Sequence, residues 1–404
     1  SFNLFSSGSG TEYSPYVITK EEELNNIRYF LDRTFTINGN IILNSYSNWE
    51  MIGNANNPFT GTIKGNGFTI SNIRYTTEQN TNIAFIYEIA EGATVQNLKL
   101  DVTINSDLYN TRTQYYGGVA ITNKGTISNC EVTGSIKVNG NATNTTQFGG
   151  IVNDNYGTIT NTINKSSVIA QRNTNTSTYV TKVGGIAARN FGTIINSGNE
   201  GELKGQDVGG IACYNYKSIS YSYNTGKLNI VSDGYTTTNL KLGGIAAYND
   251  TYTLTGDRGT IDTCYVIMLD GQITSSTSTG SASYIGGIVG NNNNSSENCI
   301  SNCYALIGEY NVASGDKVAA LVGNVAGMSV NNYYRVLKNC YAYRTKTTLF
   351  VAGSGNEITI GNISGSSYVG RITDVSTLDS GVVSIPGIII TEDNNYMPHF
   401  SWQA

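Results

Sequence analysis

The sequence predicts an all-β chain: a single-stranded right-handed parallel β-helix, or solenoid, with a short N-terminal capping helix. Three observations predict it. First, the stretch Val183 to Gly226 contains one unit nearly twice, with Gly184-Gly185 returning as Gly209-Gly210, 25 residues later. Second, paired glycines end at Gly118, Gly150, Gly185, Gly210, Gly244 and Gly287, at intervals of 32, 35, 25, 34 and 43 residues, and Ala319-Ala320 stands in for the pair 33 residues further on. Third, counting from the second glycine, the same residue types fall into columns. A fixed period of this length is the mark of a repeat architecture, in which each unit buries its apolar face only against its neighbours.

In chain order, residues 1–34 form an N-terminal segment. Thr19 to Asp32 carries Leu24, Ile27, Phe30 and Leu31 on one helical face. Thr19 and Glu22 have capping-box spacing, and Glu21, Glu22 and Glu23 suit the positive end of a helix dipole. An amphipathic helix just before a repeat stack suits the role of covering its apolar end.

Residues 35–345 form the coil. From Phe35 the apolar period becomes 2, and Gly, Asn and Pro58 break it into short strands. In the explicit repeats, position +1 holds Val119, Ile151, Ile186, Ile211, Ile245 and Ile288, then Leu321. Position +9 holds Ile127, Ile159, Ile194 and Ile219. Position +5 holds Asn123, Asn155, Asn190, Asn215, Asn249 and Asn292, and +12 holds Cys130, Thr162, Ser197 and Ser222, a place that Cys264, Cys303 and Cys340 also fill. The shortest interval is taken as the bare unit, with three strands. The surplus in longer units, such as Asn139–Gln147 and Asn173–Thr181, is rich in Ser, Thr, Asn and Gly and reads as loop insertion.

Stacked in register about 4.8 Å apart, such units pile Ile on Ile inside. Asn falls on Asn at a corner, where the left-handed conformation is tolerated and amides can bond along the axis. The paired glycines read as geometry at a tight turn. Parallel crossovers set the right-handed sense. Ala319-Ala320 in place of GlyGly and Lys217 in place of the glycine at +7 predict local distortion. Residues 346–404 form a C-terminal coil and cap. Strands are expected over Thr347–Gly353, Ile358–Ile363 and Ile385–Ile390, and a short helix or turn over Arg371–Asp379.

The run GlyGlyIleAlaAlaArgAsnPheGlyThrIleIleAsnSerGlyAsn resembles the GLUG repeat of bacterial surface proteins, and the resemblance extends from Gly117 to Cys340. Residues 9–24, 59–73 and 394–403 resemble the segments that precede and close such arrays. The resemblance implies a β-helix. It does not choose an activity, because such arrays occur in adhesins and beside the catalytic parts of secreted peptidases.

Composition narrows the chemistry. Charged residues are 13%, with a net charge of −5 and no Lys/Arg cluster, so the footprint of a nucleic-acid binder is missing. No apolar run is long enough to span a membrane. A surface of Asn, Ser, Thr and Tyr reads as extracellular or cell-surface, with a signal peptide expected to have been removed. The single histidine, His399, rules out a Ser-His triad elsewhere and any multi-His metal site. Neither metal nor cofactor is expected. Glu200, Glu202, Asp316, Asp250, Asp257 and Asp262 share no coil offset and lack calcium-loop spacing. The cysteines read as small core rungs, with a disulfide among Cys264, Cys303 and Cys340 left open.

One surface signal is aromatic. Position +6 holds Lys124, Tyr156, Phe191 and Tyr216, with Tyr214 and Tyr248 at +4. These five rings are the expected ligand-binding residues, as a ladder for a sugar ring or a protein partner. Self-stacking that protects the corner is the competing reading. The leading function is thus non-enzymatic adhesion or binding of carbohydrate or a host-surface protein by a monomer. The alternatives are a polysaccharide lyase or hydrolase, and a plain spacer.

Overall fold

The computed structural model describes residues 3–76, 81–105, 115–140, 146–172, 180–231, 239–276, 283–313, 316–326, 335–343, 349–351, 358–359, 372–374, 385–391 and 397–403. It is a parallel β-helix. Eleven strands stack in one of its sheets, beginning with Tyr16–Ile18 and ending with Leu337–Lys338. At about 4.8 Å per rung that sheet spans about 48 Å.

Each full coil passes through four sheets rather than the three strands expected. The rung that follows Gln206 shows them in order: Asp207–Gly209, Ala212–Asn215, Ser218–Ser220, then Tyr223–Asn224 with Leu228–Val231. These are the first, second, third and fourth faces. The extra face comes from the residues after the +12 column, where strand and turn residues alternate too quickly for the sequence period to separate them. Among the described strands every ladder is parallel except Leu349–Val351 with Ile358–Thr359.

Register follows the columns. Ile127, Ile159, Ile194, Ile219, Ile261 and Ile300 are successive partners on the third face, and all are fully buried. The +5 asparagines point inward at 0% exposure, and each amide donates to the next: Asn123 to Asn155 at 2.9 Å, Asn155 to Asn190 at 2.9 Å, Asn190 to Asn215 at 3.0 Å, Asn215 to Asn249 at 3.0 Å, and Asn249 to Asn292 at 2.9 Å. Burying an amide is costly unless it is bonded, and this ladder satisfies each one with its neighbour.

The left-handed corner lies elsewhere. Position +5 has no positive φ; position +11 does, at Asn129, Asn161, Asn196 and Tyr221 with φ of 53°, 49°, 49° and 48°, continued by Thr263, Asn302 and Asn339. A second buried amide ladder, Asn164 to Asn199 to Asn224 at 2.9 and 2.8 Å, sits on the fourth face. Only three units share it, so no column announced it.

The glycine pairs need closeness, not positive φ. A Cβ on Gly184 would meet the Ala187 carbonyl oxygen at 1.8 Å, and one on Gly185 the Gly210 oxygen of the next coil at 2.1 Å. The distortion expected at Ala319-Ala320 does not disturb pairing, since Gly286 still faces Ala319 in register. The same holds at Lys217, whose flanking strands pair normally. The insertions expected at Asn139–Gln147 and Asn173–Thr181 lie largely outside the described residues, and their flanks continue as strand at Glu131–Gly140, Thr146–Gly149, Ser167–Arg172 and Thr181–Gly184.

At the N-terminus the helix is Glu21–Asn26, followed by a 3-10 turn at Ile27–Tyr29, shorter than the expected Thr19–Asp32. The capping partner of Thr19 is Glu23, not Glu22. Its Oε1 accepts from the Thr19 amide and hydroxyl, both at 3.0 Å. The helix joins Tyr16–Ile18 to Thr34–Ile37, and Leu24 and Ile27 are fully buried. Phe5 stacks on Tyr16 at 4.3 Å, and Ser7 pairs antiparallel with Val17, which covers an otherwise open strand edge.

In the C-terminal segment, Ile372–Asp374 is a strand parallel to Cys340–Tyr343, where a helix or turn was expected. The described residues beyond it lie along the side of the coil. Ile385, Ile388, Ile390 and Phe400 form a separate apolar cluster with Tyr223, Tyr265 and Tyr304 of successive rungs, and Gln403 accepts from the Tyr265 hydroxyl at 2.8 Å. Positions 347–348, 352–353, 360–363, 371 and 375–379 of the expected C-terminal elements lie outside the described residues.

Candidate ligand-binding face

On the second face, strand alternation sends +5 inward and +4 outward. The outward +4 residues pair rung by rung as Asp154, Arg189, Tyr214, Tyr248 and Asn291. Position +6 follows at the next corner. All five expected rings come together there. Tyr156 stacks on Phe191 at 4.7 Å and 7°, and Phe191 on Tyr216 at 5.0 Å and 16°. Tyr216 meets Tyr214 at 5.7 Å and 13°, and Tyr214 stacks on Tyr248 at 4.3 Å and 3°. The expected ladder and the expected self-stacking are thus one arrangement, in which each ring pair is worth about 0.5–1.5 kcal/mol beyond its buried area. Phe191 is 9% exposed, whereas Tyr156, at the end of the file, is 47% exposed. Lys124, next along the +6 column, pairs with Glu88 at 3.1 Å.

Sequence reasoning missed Tyr252. It sits on an insertion whose bridge joins Thr251 and Arg258, and its ring meets Phe191 edge-on at 4.9 Å and 72°. The signal was present in the 43-residue interval, the longest of the array, but no column fixes a residue inside an insertion.

Cations flank the rings. Arg189 makes a two-point ion pair with Asp154 at 2.7 and 2.6 Å and lies 5.0 Å from the Phe191 centroid. Burial works against its charge, but the Asp154 carboxylate outweighs that and holds its pKa above the ordinary value. Lys182 lies 4.7 Å over Tyr214, and Lys241 5.2 Å over Tyr248. Between the lysines Asp207 is 2% exposed, and it accepts from the Lys241 amide at 2.9 Å and the Tyr248 hydroxyl at 3.0 Å. Burial raises the Asp207 pKa, opposed chiefly by Lys241, and burial lowers that of Lys241, opposed by Asp207.

The other residues weighed for chemistry are dispersed. Glu200 accepts from the Tyr223 hydroxyl at 2.6 Å, Asp262 from Ser301 and Asn302 at 3.0 and 2.9 Å, and Asp316 from Ser275 and the Ser283 amide at 2.5 and 3.0 Å. Asp250 accepts from Asn293 at 3.1 Å and Asp257 from Thr255 at 2.9 Å, while Glu202 is exposed. His399 is exposed and pairs through its backbone with Ile389. All six cysteines are buried free thiols. No group of three metal-ligating side chains occurs among the described residues. A recess of about 330 Å³ lies over the left-handed corner, lined by Asn66, Asn97, Asn129 and Asn161 with Lys99 and Glu131; it has no aromatic ring.

Among the described residues no helix is long and apolar enough to cross a membrane. No family model matches the chain. A protein of Evansella cellulosilytica described as a "Putative Gly-rich membrane protein" is 32% identical over 105 residues, which are 24% of this chain and 12% of that protein. A solved structure described as "putative immunoglobulin A1 protease", from Bacteroides ovatus, is 16% identical with a TM-score of 0.45, covering 99% of this chain and 96% of that one. A further solved structure, an IgA1 protease, superposes at a TM-score of 0.51 and 18% identity over 72% of this chain but only 21% of its own length, a likeness of fold in which this chain answers to a small part of the larger protein.

Proposed function

We propose that this chain is a non-enzymatic, extracellular or cell-surface β-helix of GLUG-type repeats that binds carbohydrate or a host-surface protein through its second face. The carrying observation is the end of the ring file. Tyr156 is stacked on one side by Phe191 and is still 47% exposed, so part of its ring is open to a ligand. Tyr216, Tyr214 and Tyr248 continue the platform behind it, and the stack holds Tyr156 in place before a ligand arrives, which lowers the ordering cost of binding. Extracellular placement is supported by the low charge content and the Tyr- and Asn-rich composition.

Array binding to glycans and to host-surface proteins, repeated with Tyr156→Ala, Tyr216→Ala and Phe191→Leu, tests this reading. The expected result is loss of about tenfold or more in binding for Tyr156→Ala, with the protein still folded and its stability lowered by no more than about 0.5–1.5 kcal/mol, the worth of the one ring pair removed. Undiminished binding in all three variants overturns it.

A second reading is a spacer within a longer protein. It is supported by the proportion of the IgA1 protease likeness, where the matched part is 21% of that neighbour. A polysaccharide-cleaving enzyme needs two available carboxylates about 5–10 Å apart. On this face Asp154 is tied to Arg189, and Asp207 is buried.

A further inference from the structure

The glycine pairs do more than tighten a turn. Around the pairs at Gly184-Gly185, Gly209-Gly210 and Gly243-Gly244, outward side chains of the first and second faces meet. Lys182 lies over the Tyr214 ring, Lys241 over the Tyr248 ring, and the Tyr248 hydroxyl bonds to Asp207. Outward side chains of adjacent sheets touch only where the bend between those sheets is re-entrant. The bend therefore forms a groove parallel to the coil axis. Its first wall is Lys182, Asp207, Lys241, Tyr284 and Lys317 on successive rungs, about 19 Å at the strand spacing.

The charge in this groove runs against that of the chain. The whole protein carries −5, yet the groove holds Lys182, Arg189, Lys241 and Lys317 against Asp154 and Asp207. Both carboxylates are already engaged, Asp154 by Arg189 and Asp207 by the Tyr248 hydroxyl and the Lys241 amide. The Lys241 ammonium donates to the Asn239 carbonyl. Among the described residues, no carboxylate lies within ion-pair distance of Lys182 or Lys317, and Lys182 is held in place by a ring. Asp207, its cross-strand neighbour, is buried and too far for an ion pair, so an ammonium fixed over a tyrosine with no carboxylate in direct contact is arranged for an anion supplied from outside.

From the re-entrant bend, its excess of lysines and its tyrosine wall, we infer that this groove binds an anionic polysaccharide, with the acidic groups against Lys182 and Lys317 and a sugar ring on the half-buried tyrosines beside them. This rests on the binding function proposed above and names its ligand class. Carboxylated and sulfated chains share the required chemistry.

The test measures binding of the full chain to polygalacturonate, dextran sulfate, neutral dextran and a single-stranded oligonucleotide. Variants are Lys182→Gln, Lys182→Arg, Lys182→Gln with Lys317→Gln, and Lys64→Gln from the third face as a charge control. The expected result is preference for one or both acidic polysaccharides, weakened about tenfold by Lys182→Gln, restored by Lys182→Arg and untouched by Lys64→Gln. The interaction should also weaken as salt rises from about 50 to about 500 mM. Equal losses for Lys64→Gln and Lys182→Gln, or oligonucleotide binding as tight as that of the acidic sugars, overturn the inference as mere polyanion capture. Neutral dextran bound as well as the acidic chains, lost in Tyr156→Ala and unaffected by Lys182→Gln, overturns the inference while leaving the parent function standing. No binding to any polysaccharide or host-surface protein overturns both.

Discussion

The side-chain amide of Asn190 donates to the Asn215 oxygen at 3.0 Å, and both residues are fully buried. The Asn190 oxygen also accepts from the Gly192 amide, and its nitrogen approaches the Gly192 and Ser218 carbonyls. One side chain thus satisfies its own turn and the rung above. Asn190→Ala removes the donor to the Asn215 oxygen and the acceptor of the Gly192 amide, whereas the Asn155 amide keeps the Gly157 and Thr193 carbonyls. The expected cost is about 2–4 kcal/mol, since each stranded buried group costs about 1–3. Urea unfolding of the variant, with a loss below about 1 kcal/mol, would contradict the ladder's role.

Two glycines separate close approach from backbone conformation. Gly184→Ala places a methyl group 1.8 Å from the Ala187 oxygen and 2.8 Å from the Cys213 nitrogen. Gly271, at a φ of 76°, has nothing within 4 Å. The expected losses are at least about 3 kcal/mol for Gly184→Ala and about 1–2 kcal/mol for Gly271→Ala. Thermal melts of the two variants should rank them in that order.

Thr263 occupies the left-handed corner at a φ of 55°, a place that Asn129, Asn161 and Asn196 fill in other coils. A β-branched residue is strained there and Asn is not. Thr263→Asn is expected to raise stability by about 0.5–1 kcal/mol, measured by the same unfolding.

Asp207 makes stability depend on pH. Burial holds its carboxyl above the ordinary aspartate value, against Lys241, Lys182 and the Tyr248 hydroxyl. An acid raised in the fold contributes stability that is full below its unfolded pKa and is lost as pH rises through its folded one. Asp207→Asn should therefore gain on the wild type as pH rises above about 4, the unfolded aspartate range. A stability difference that stays flat from about pH 3 to pH 7 would show that the carboxyl is not shifted.

All six thiols are free and buried in the fold. Burial pushes Cys130 and Cys299 up to about 12, and Cys303 and Cys340 are raised the same way. Since the thiolate is the reactive form, a thiol reagent should label none of the 6 cysteines in the native protein and all of them in denaturant. The intact mass should be the same with and without reductant.

Repetition made the coil legible. A column such as Ile127, Ile159, Ile194 and Ile219 states its own register, because in-register stacking is the only way short units can share a core. The inward Asn ladder was legible as a ladder, yet its backbone was not. Asn suits both a left-handed corner and a buried amide stack, and only the φ values assign the first role to +11 and the second to +5. At the candidate site, the offsets of Tyr156, Phe191 and Tyr216 foretold a stack because equal offsets on adjacent rungs lie about 4.8 Å apart.

By itself the sequence determined what repeats: the parallel stack, the buried Ile columns and the file of rings. The tertiary structure alone decided what does not repeat. It set Tyr252 edge-on to Phe191 from an insertion, laid Phe400 along the tyrosines of the fourth face, and brought Lys182 and Lys241 over Tyr214 and Tyr248. The physical reason is that periodicity encodes neighbours along the coil axis. Contacts across a re-entrant bend, or between the coil and a segment outside the array, depend on how sheets turn against each other, and no column carries that angle.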